Sequence, residues 1–211
     1  MTYLNLINQL IREGYLKTPR IIEAFKKINR TDFLPNEVRD EAELNIPLSI
    51  GYGQTISQPL TVAFMLELLA PEKGDKVLDV GSGSGWSVAL LAEIVGEKGK
   101  VYAVERIPEL KEFGKKNVSK YNFVSSGRAQ FFCADGAKGF KEFAPFSRII
   151  VAAGAAQIPL PLKEQLAVGG RLVIPVGIGS QDMIVIEKLE KDRYKENRYP
   201  GFVFVPLIES S

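Results

Sequence analysis

The first part of the chain carries hydrophobic residues at helical spacing. Two groups of apolar residues recur three or four positions apart, which places each group on one face of a helix. The first group is Leu6, Ile7, Leu10 and Ile11, and the second is Ile21, Ile22, Phe25 and Ile28. Between the two groups, Gly14 indicates the end of the first helix and the Thr18-Pro19 pair indicates the start of the second. We therefore predict two amphipathic helices between Tyr3 and Ile28.

The next segment, from Asn29 to Gln58, lacks a regular pattern, and its prolines and glycines indicate loops. An irregular run of this length inside a compact domain is typical of a functional loop. A helix is then expected from Leu60 to Leu69, because the apolar pattern returns and Pro71 would end it. Ser57 stands where the N-cap of that helix is expected.

Beyond Pro71, short β-branched runs alternate with helical runs. The predicted strands are Lys76–Val80, Lys100–Glu105, Ala129–Cys133, Arg148–Ala152, Arg171–Pro175, Met183–Leu189 and Phe202–Leu207. The predicted helices are Gly85–Val95, Pro108–Tyr121 and Leu160–Ala167. This alternation predicts βαβ units and a parallel sheet, whereas the last two strands, with no helix between them, predict an antiparallel hairpin.

The predicted fold is a doubly wound α/β structure with a mostly parallel seven-stranded sheet and helices on both faces. The C-terminal strands are antiparallel, and an N-terminal helical extension precedes the sheet. Because 211 residues with 45% hydrophobic content suit one core, we expect a single domain over residues 1–211. Within it, we expect residues 1–58 to form the N-terminal helices and the irregular loop, and residues 59–211 to form the α/β core.

Composition narrows the possible chemistry. The 27 basic and 25 acidic residues nearly cancel, so no specific nucleic-acid partner is expected. With no histidine, the commonest metal ligand and neutral-pH base are missing, and we expect no metal site. The single Cys133 is expected to be a buried core thiol. The chain shows neither a secretory pattern nor a long apolar run, which predicts a cytoplasmic protein without membrane contact, and we expect a monomer.

A glycine-rich turn follows the first predicted strand. Asp79 precedes the turn, whose sequence from Gly81 to Gly85 is Gly-Ser-Gly-Ser-Gly and includes Ser82 and Gly83. Such glycines let a ligand approach the backbone at a helix N-terminus. Trp86 occupies the place of the last glycine of a dinucleotide fingerprint, which disfavours a nicotinamide cofactor. The arrangement resembles motif I of class I methyltransferases.

Two further acidic positions follow successive strands. Glu105 ends a strand twenty residues after Gly85, the spacing expected for a carboxylate that binds ribose hydroxyls. Asp135-Gly136, after the next strand, matches the position at which class I methyltransferases contact the adenine amine. Alone, each feature is also compatible with an ordinary turn or a solvated strand end. Their order and spacing together predict S-adenosylmethionine as the cofactor.

The segment Pro47–Pro59 carries the most distinctive motif, Gly-Gln-Thr-Ile-Ser-Gln-Pro from Gly53. It resembles the signature of protein-L-isoaspartate O-methyltransferases. The resemblance implies that Ser57 supplies the active-site hydroxyl and that Gln54, Thr55 and Ile56 shape the acceptor pocket. As an N-cap, Ser57 would instead have its hydroxyl committed to the helix.

The resemblance to this family extends over nearly the whole chain. It includes Phe33-Leu34-Pro35, Ile149–Ala155, Gly169–Gly177 and Phe204–Leu207. The chain departs from the family pattern at Glu41–Asn45, at Ala152, where threonine is frequent, and at Val203, where arginine is frequent.

The resemblance implies methyl transfer from S-adenosylmethionine to the free carboxylate of L-isoaspartyl, and also D-aspartyl, residues in damaged proteins, with repair through a succinimide. A carboxylate acceptor is already ionised at neutral pH, so a chain without histidine can serve it. The alternatives are a methyltransferase acting on RNA, a binding module without turnover, and an oxidoreductase. The near-neutral charge disfavours a methyltransferase acting on RNA, and the presence of the acceptor loop disfavours a binding module without turnover. Trp86 disfavours an oxidoreductase.

Overall fold

A seven-stranded sheet forms the centre of the protein, whose computed structural model describes residues 2–208. Its strands are β3 (Lys76–Val80), β4 (Lys100–Glu105), β5 (Ala129–Cys133), β6 (Phe146–Val151), β7 (Leu166–Val176), β8 (Gln181–Glu190) and β9 (Arg193–Phe202). Two further strands, β1 (Leu48–Gly51) and β2 (Gln54–Ile56), form a separate hairpin. The α-helices are α1 (Tyr3–Arg12), α2 (Pro19–Lys27), α3 (Pro59–Leu69), α4 (Trp86–Val95), α5 (Pro108–Ser119) and α6 (Leu160–Glu164). Within residues 2–208, none of them has the length and apolar character needed to cross a bilayer.

The sheet order is β5-β4-β3-β6-β7-β8-β9. The strands from β5 to β7 run parallel, and β8 and β9 add antiparallel to β7. The chain builds outward from β3 to β5 and then returns to place β6 on the other side of β3. This reversal creates a crevice at the carboxyl ends of β3 and β6, beside the end of β4, where ligands bind in open α/β sheets. The predicted fold class is confirmed.

The two faces of the sheet carry separate apolar cores. The core that includes the N-terminal helices continues into α4, where Phe25 of α2 stands edge-on to Trp86 with ring centroids 5.6 Å apart. The other core includes Leu162 of α6 and the aromatic residues around Tyr102. The N-terminal helices therefore pack directly on the first helix after the glycine-rich turn.

The last predicted strand was placed in the wrong segment. The structure forms β9 at Arg193–Phe202, and residues 203–207 contribute only an isolated bridge between Gly154 and Pro206. β9 is an edge strand whose residues are exposed or half-buried, so it lacks the apolar alternation that predicts strands. The apolar residues from Phe204 to Leu207 pack beside the crevice instead.

Three smaller predictions also differ from the structure. Cys133 is exposed, because it is the last residue of the edge strand β5. The helix predicted to reach Ala167 ends at Glu164, and β7 begins at Leu166. The irregular segment before α3 contains 3-10 helices at Arg30–Phe33 and Asn36–Glu41 and the β1–β2 hairpin.

Candidate active site

The glycine-rich turn after β3 depends on backbone angles that favour glycine. Gly81, Gly83 and Gly85 have φ values of +80°, +47° and +84°. The Gly81 amide donates to the Val104 carbonyl at 2.9 Å, and the Gly85 amide donates to the Ser82 carbonyl at 2.8 Å. The turn is thereby fixed to β4 and opens into α4 with its backbone facing the crevice.

Glu105 lies across the crevice from this turn, at the end of β4. It is only 6% exposed, and each carboxylate oxygen accepts one backbone hydrogen bond. Oε2 accepts from the Gly83 amide and Oε1 from the Ile107 amide, both at 3.0 Å. Each oxygen keeps a free lone pair. The fixed carboxylate is therefore available to ligand hydroxyl groups.

Several buried polar atoms in the crevice lack a partner within residues 2–208. They are Oγ of Ser82 and Nε1 of Trp86, and the buried carboxylate of Asp79 has no partner besides the nearby Ser87 hydroxyl. Burial raises the pKa of Asp79 to about 7, the nearby Ser87 hydroxyl opposes this shift, and the negative charge of Glu105 adds to it. Buried polar groups are normally hydrogen-bonded, so these orphaned atoms indicate a polar ligand. A cofactor with amino and hydroxyl groups fits them.

The predicted adenine position is only partly at the crevice. Gly136 lines it, whereas Asp135 is not among the described residues that do so. The Asp135 carboxylate accepts from the Ala137 amide at 3.0 Å and begins the short 3-10 helix Gly136–Lys138. Contact between Asp135 and the cofactor stays a prediction.

The β1–β2 hairpin forms the other wall of the crevice. Its tip, at Tyr52 and Gly53, has φ values of 56° and 69°. Ile50 Cδ1 lies 3.3 Å from where a Cβ on Gly83 would stand, so the hairpin packs onto the glycine-rich turn. Four consecutive predicted residues, Gln54–Ser57, line the same crevice as Asp79 and Glu105, which encloses about 1070 Å³ including space open to solvent.

A shallower groove adjoins the crevice. The two share Thr55, Ser57, Ala152 and Val205. The other residues of the groove are Pro47, Gln58, Thr61, Val203 and Phe204. None of these lining residues, within the part of the chain described, carries a charge. Ser57 thus lies where an uncharged groove meets the crevice.

Ser57 is not the cap of α3, so that prediction was wrong. The N-cap is Gln58, followed by Pro59. The Leu60 amide donates to Asn45 Oδ1 of the preceding loop at 3.0 Å. The Ser57 hydroxyl makes no hydrogen bond within residues 2–208. It is half-buried and free to contact a ligand.

Sequence reasoning missed the partner of the glycine-rich turn. A Cβ on Gly114 of α5 would stand 2.7 Å from the Gly83 carbonyl oxygen, and one on Gly85 would stand 2.8 Å from the Gly114 carbonyl oxygen. Asn117 Nδ2 adds a hydrogen bond to the Ser84 carbonyl at 3.1 Å. Gly114 therefore permits the close packing that the final glycine of a dinucleotide fingerprint provides elsewhere. The only sequence signal was an isolated glycine within a helical pattern.

Sequence and structure comparisons identify similar proteins. The family model for protein-L-isoaspartate(D-aspartate) O-methyltransferase matches residues 1–211. A protein-L-isoaspartate O-methyltransferase of Aeropyrum pernix is 48% identical over 97% of this chain and 78% of its own. One from Methanopyrus kandleri is 45% identical over 96% of this chain and 89% of its own.

The fold likeness agrees. A Plasmodium falciparum structure, described as a protein-L-isoaspartate O-methyltransferase in complex with S-adenosyl-L-homocysteine, has a TM-score of 0.90 and covers 100% of both chains. Its sequence identity is 23%, so this likeness shows the fold alone.

We expect Asp79→Asn to change how stability depends on pH. The folded-state pKa of Asp79 is about 7 against 3.8 ordinarily, so the folded state holds this proton more tightly. The unliganded wild type therefore loses stability as pH rises between these two values, by at most about 4 kcal/mol for roughly three pKa units. Above neutral pH the variant should be the more stable protein. Denaturant unfolding at pH 5 and pH 8 measures this, and equal pH slopes for the two proteins would contradict it.

Gly114→Ala tests the contact between α5 and the glycine-rich turn. In a helix with room for a methyl group, alanine would stabilise by about 1 kcal/mol. Here the methyl group meets the Gly83 carbonyl, so we expect destabilisation of roughly 1–3 kcal/mol and weaker S-adenosylmethionine binding. Thermal unfolding and calorimetry measure both. The control is Lys115→Ala at the exposed next position, which should change neither. A more stable Gly114→Ala with full affinity would rule out the contact.

Proposed function

Since the chain belongs to the protein-L-isoaspartate(D-aspartate) O-methyltransferase family, we propose how its own residues carry out the methyl transfer of that family. The protein is an enzyme that methylates isoaspartyl residues of damaged proteins with S-adenosylmethionine. The roles of individual residues, the single-domain organisation and the choice between acceptors are the proposal. The position of Ser57 between crevice and groove carries it.

The crevice residues hold the cofactor in this proposal. S-adenosylmethionine supplies an activated methyl group on a sulfonium. Glu105, fixed by the Gly83 and Ile107 amides, accepts hydrogen bonds from the ribose hydroxyls. The turn formed by Gly81, Ser82, Gly83 and Gly85 bounds the adjoining space, in which the Asp79 oxygens accept hydrogen bonds. Asp135 and Gly136 lie at the adenine end.

The acceptor enters from the groove. Its carboxylate has an ordinary pKa near ~4, so it arrives ionised and no residue has to remove a proton. Ser57 donates a hydrogen bond to one carboxylate oxygen and leaves the other directed toward the crevice. Gln54, Thr55 and Ile56 form the wall that excludes water. Orientation of this kind can supply on the order of 7–11 kcal/mol when reacting atoms are held ~3 Å apart.

The methyl ester is released, and a main-chain amide nitrogen of the substrate then attacks the ester carbonyl and expels methanol, which closes a succinimide without help from the protein. Hydrolysis of the succinimide followed by repeated cycles gives repair. The same site accepts D-aspartyl residues. We further propose that the enzyme works as a monomer in the cytoplasm and that it has no nucleic-acid partner. The near balance of 27 basic and 25 acidic residues supports the last point.

The acceptor assignment is tested with two peptides that differ only in the linkage of one aspartyl residue. We expect the isoaspartyl peptide to be methylated at least about tenfold faster, because its main chain runs through the β-carbon and leaves the free carboxylate one bond closer to the main chain, and a site built to position that carboxylate discriminates against the aspartyl isomer. Transfer of a labelled methyl group measures the rates. Equal rates for both peptides, or labelling of transfer RNA only, would refute the assignment.

Ser57→Ala tests the hydroxyl directly. Because Asn45 rather than Ser57 accepts the Leu60 amide at the start of α3, we expect an unchanged melting temperature and unchanged S-adenosylmethionine affinity. The kcat should fall by about tenfold to a hundredfold, equivalent to one hydrogen bond to a charged group.

Two variants serve as controls for Ser57→Ala. Ser57→Thr keeps the hydroxyl and should keep most of the rate. Ser125→Ala, at an exposed site, should match the wild type. Wild-type turnover by Ser57→Ala would mean that backbone groups of the loop hold the acceptor.

A further inference from the structure

Arg30 is a buried cation outside the site described so far. It begins the 3-10 helix Arg30–Phe33 and is 0% exposed. No carboxylate within residues 2–208 forms an ion pair with it. Burial lowers the pKa of Arg30 to about 10, so it stays charged at neutral pH. A buried charge without a counterion is costly, and its presence needs a specific reason.

The guanidinium binds four carbonyl oxygens of the acceptor side. Nη1 donates to Ala42 at 3.1 Å and to Leu44 at 2.9 Å. Nη2 donates to Ile46 at 2.8 Å and to Ser57 at 3.2 Å. The loop that contains Ala42, Leu44 and Ile46 has no strand partner that could satisfy these carbonyls. An apolar residue at position 30 would remove the donor from all four.

One nitrogen of Arg30 thus joins the two walls of the acceptor groove. Ile46 directly precedes Pro47, which lines the groove together with Ser57. Because Nη2 binds the carbonyls of both Ile46 and Ser57, it fixes the separation of the two chain segments. Residue 57 is therefore placed through its own carbonyl, while its hydroxyl stays free.

The other side of Arg30 faces the cofactor half. Its guanidinium carbon lies 5.5 Å from the centroid of the Trp86 ring, and Trp86 lines the crevice. The turn that carries Arg30 is also fixed to α5 and the residues after it. Tyr121 Oη donates to Asp32 Oδ2 at 2.6 Å and accepts from the Asn29 amide at 3.0 Å. Arg30 is therefore anchored on the cofactor side and reaches the acceptor side.

We propose that Arg30 is a positioning residue for methyl transfer, which holds Ser57 and the groove wall in register with the cofactor crevice through the carbonyls of Ile46 and Ser57. The proposal rests on the proposed role of Ser57. It requires that Arg30 act on turnover rather than on cofactor binding. A side chain that served folding alone would not separate these two quantities.

Arg30→Lys keeps the positive charge but cannot reach four carbonyls in two directions. We expect its kcat on an isoaspartyl peptide to fall by about tenfold or more, while S-adenosylmethionine affinity stays within about twofold. Arg30→Met, of similar length but without donors, should lose more. Amide hydrogen exchange of residues 42–46 and 57 should accelerate in Arg30→Lys, which remains informative if Arg30→Met does not fold.

Leu10→Ala is the matched control, because Leu10 is fully buried in α1 and belongs to the same N-terminal core. It should lower the melting temperature and leave kcat within about twofold at temperatures where every variant is folded. The proposal is overturned if Arg30→Lys keeps the wild-type kcat. It is also overturned if Arg30→Lys loses kcat and S-adenosylmethionine affinity to the same extent, since partial unfolding would lower both.

A double variant separates this proposal from the role of Ser57. If Arg30 acts through Ser57, Arg30→Lys combined with Ser57→Ala should be little slower than the slower single variant, because coupled effects do not add. Full additivity would overturn the coupling. Wild-type turnover by Ser57→Ala alone would remove the role of Ser57. The effect of Arg30 on the groove wall would then be judged by comparing the kcat of Arg30→Lys with the kcat of Leu10→Ala.

Discussion

The backbone contact between the glycine-rich turn and α5 is the constraint on which the cofactor crevice depends. Gly83 and Gly85 approach Gly114 so closely that a Cβ on either side of the contact would overlap a carbonyl oxygen. This close approach lets the turn lie back against the sheet and brings the Gly83 amide to the Glu105 carboxylate at 3.0 Å. The hairpin then packs on Gly83 through Ile50. The contact of Gly83 and Gly85 with Gly114 therefore positions both the glycine-rich turn and the hairpin, and a side chain at Gly85 or Gly114 would prevent it.

The two halves of the site are stabilised differently. The cofactor half is built on buried strands, where regular hydrogen bonding and apolar packing fix each backbone position. The acceptor half consists of short irregular segments whose carbonyls and amides need side-chain partners. Arg30 supplies donors to the carbonyls, and Asn45 supplies the acceptor for the first free amide of α3. Side chains thus pair with backbone groups of this loop, whereas neighbouring strands pair with the backbone groups of β3.

The sequence predicted best the parts in which local pattern and tertiary structure agree. The bounds of β3, β4 and β5 match the predicted strands. The buried strands β3 and β4 leave a strong apolar signal, and the half-buried edge strand β5 carries two phenylalanines. The edge strand β9 left no such signal, since most of its side chains face solvent. The cap of α3 was misassigned because its acceptor, Asn45, lies 15 residues away in the chain. The roles of Gly114 and Arg30 depend on contacts between distant segments, which periodicity and spacing do not encode.

The uncharged lining of the acceptor groove has a consequence for the energy of the reaction. Methyl transfer from a sulfonium to a carboxylate joins opposite charges and leaves a neutral ester, so the negative charge of the acceptor fades as the barrier is approached. A lysine or arginine in the groove would stabilise the ionised reactant more than the transition state and would slow the step. The lining within residues 2–208 contains neither. With the proposed acceptor carboxylate in this groove, damaged segments would bind less tightly, but the reactant would not be over-stabilised and the ester would dissociate without leaving a cation unpaired.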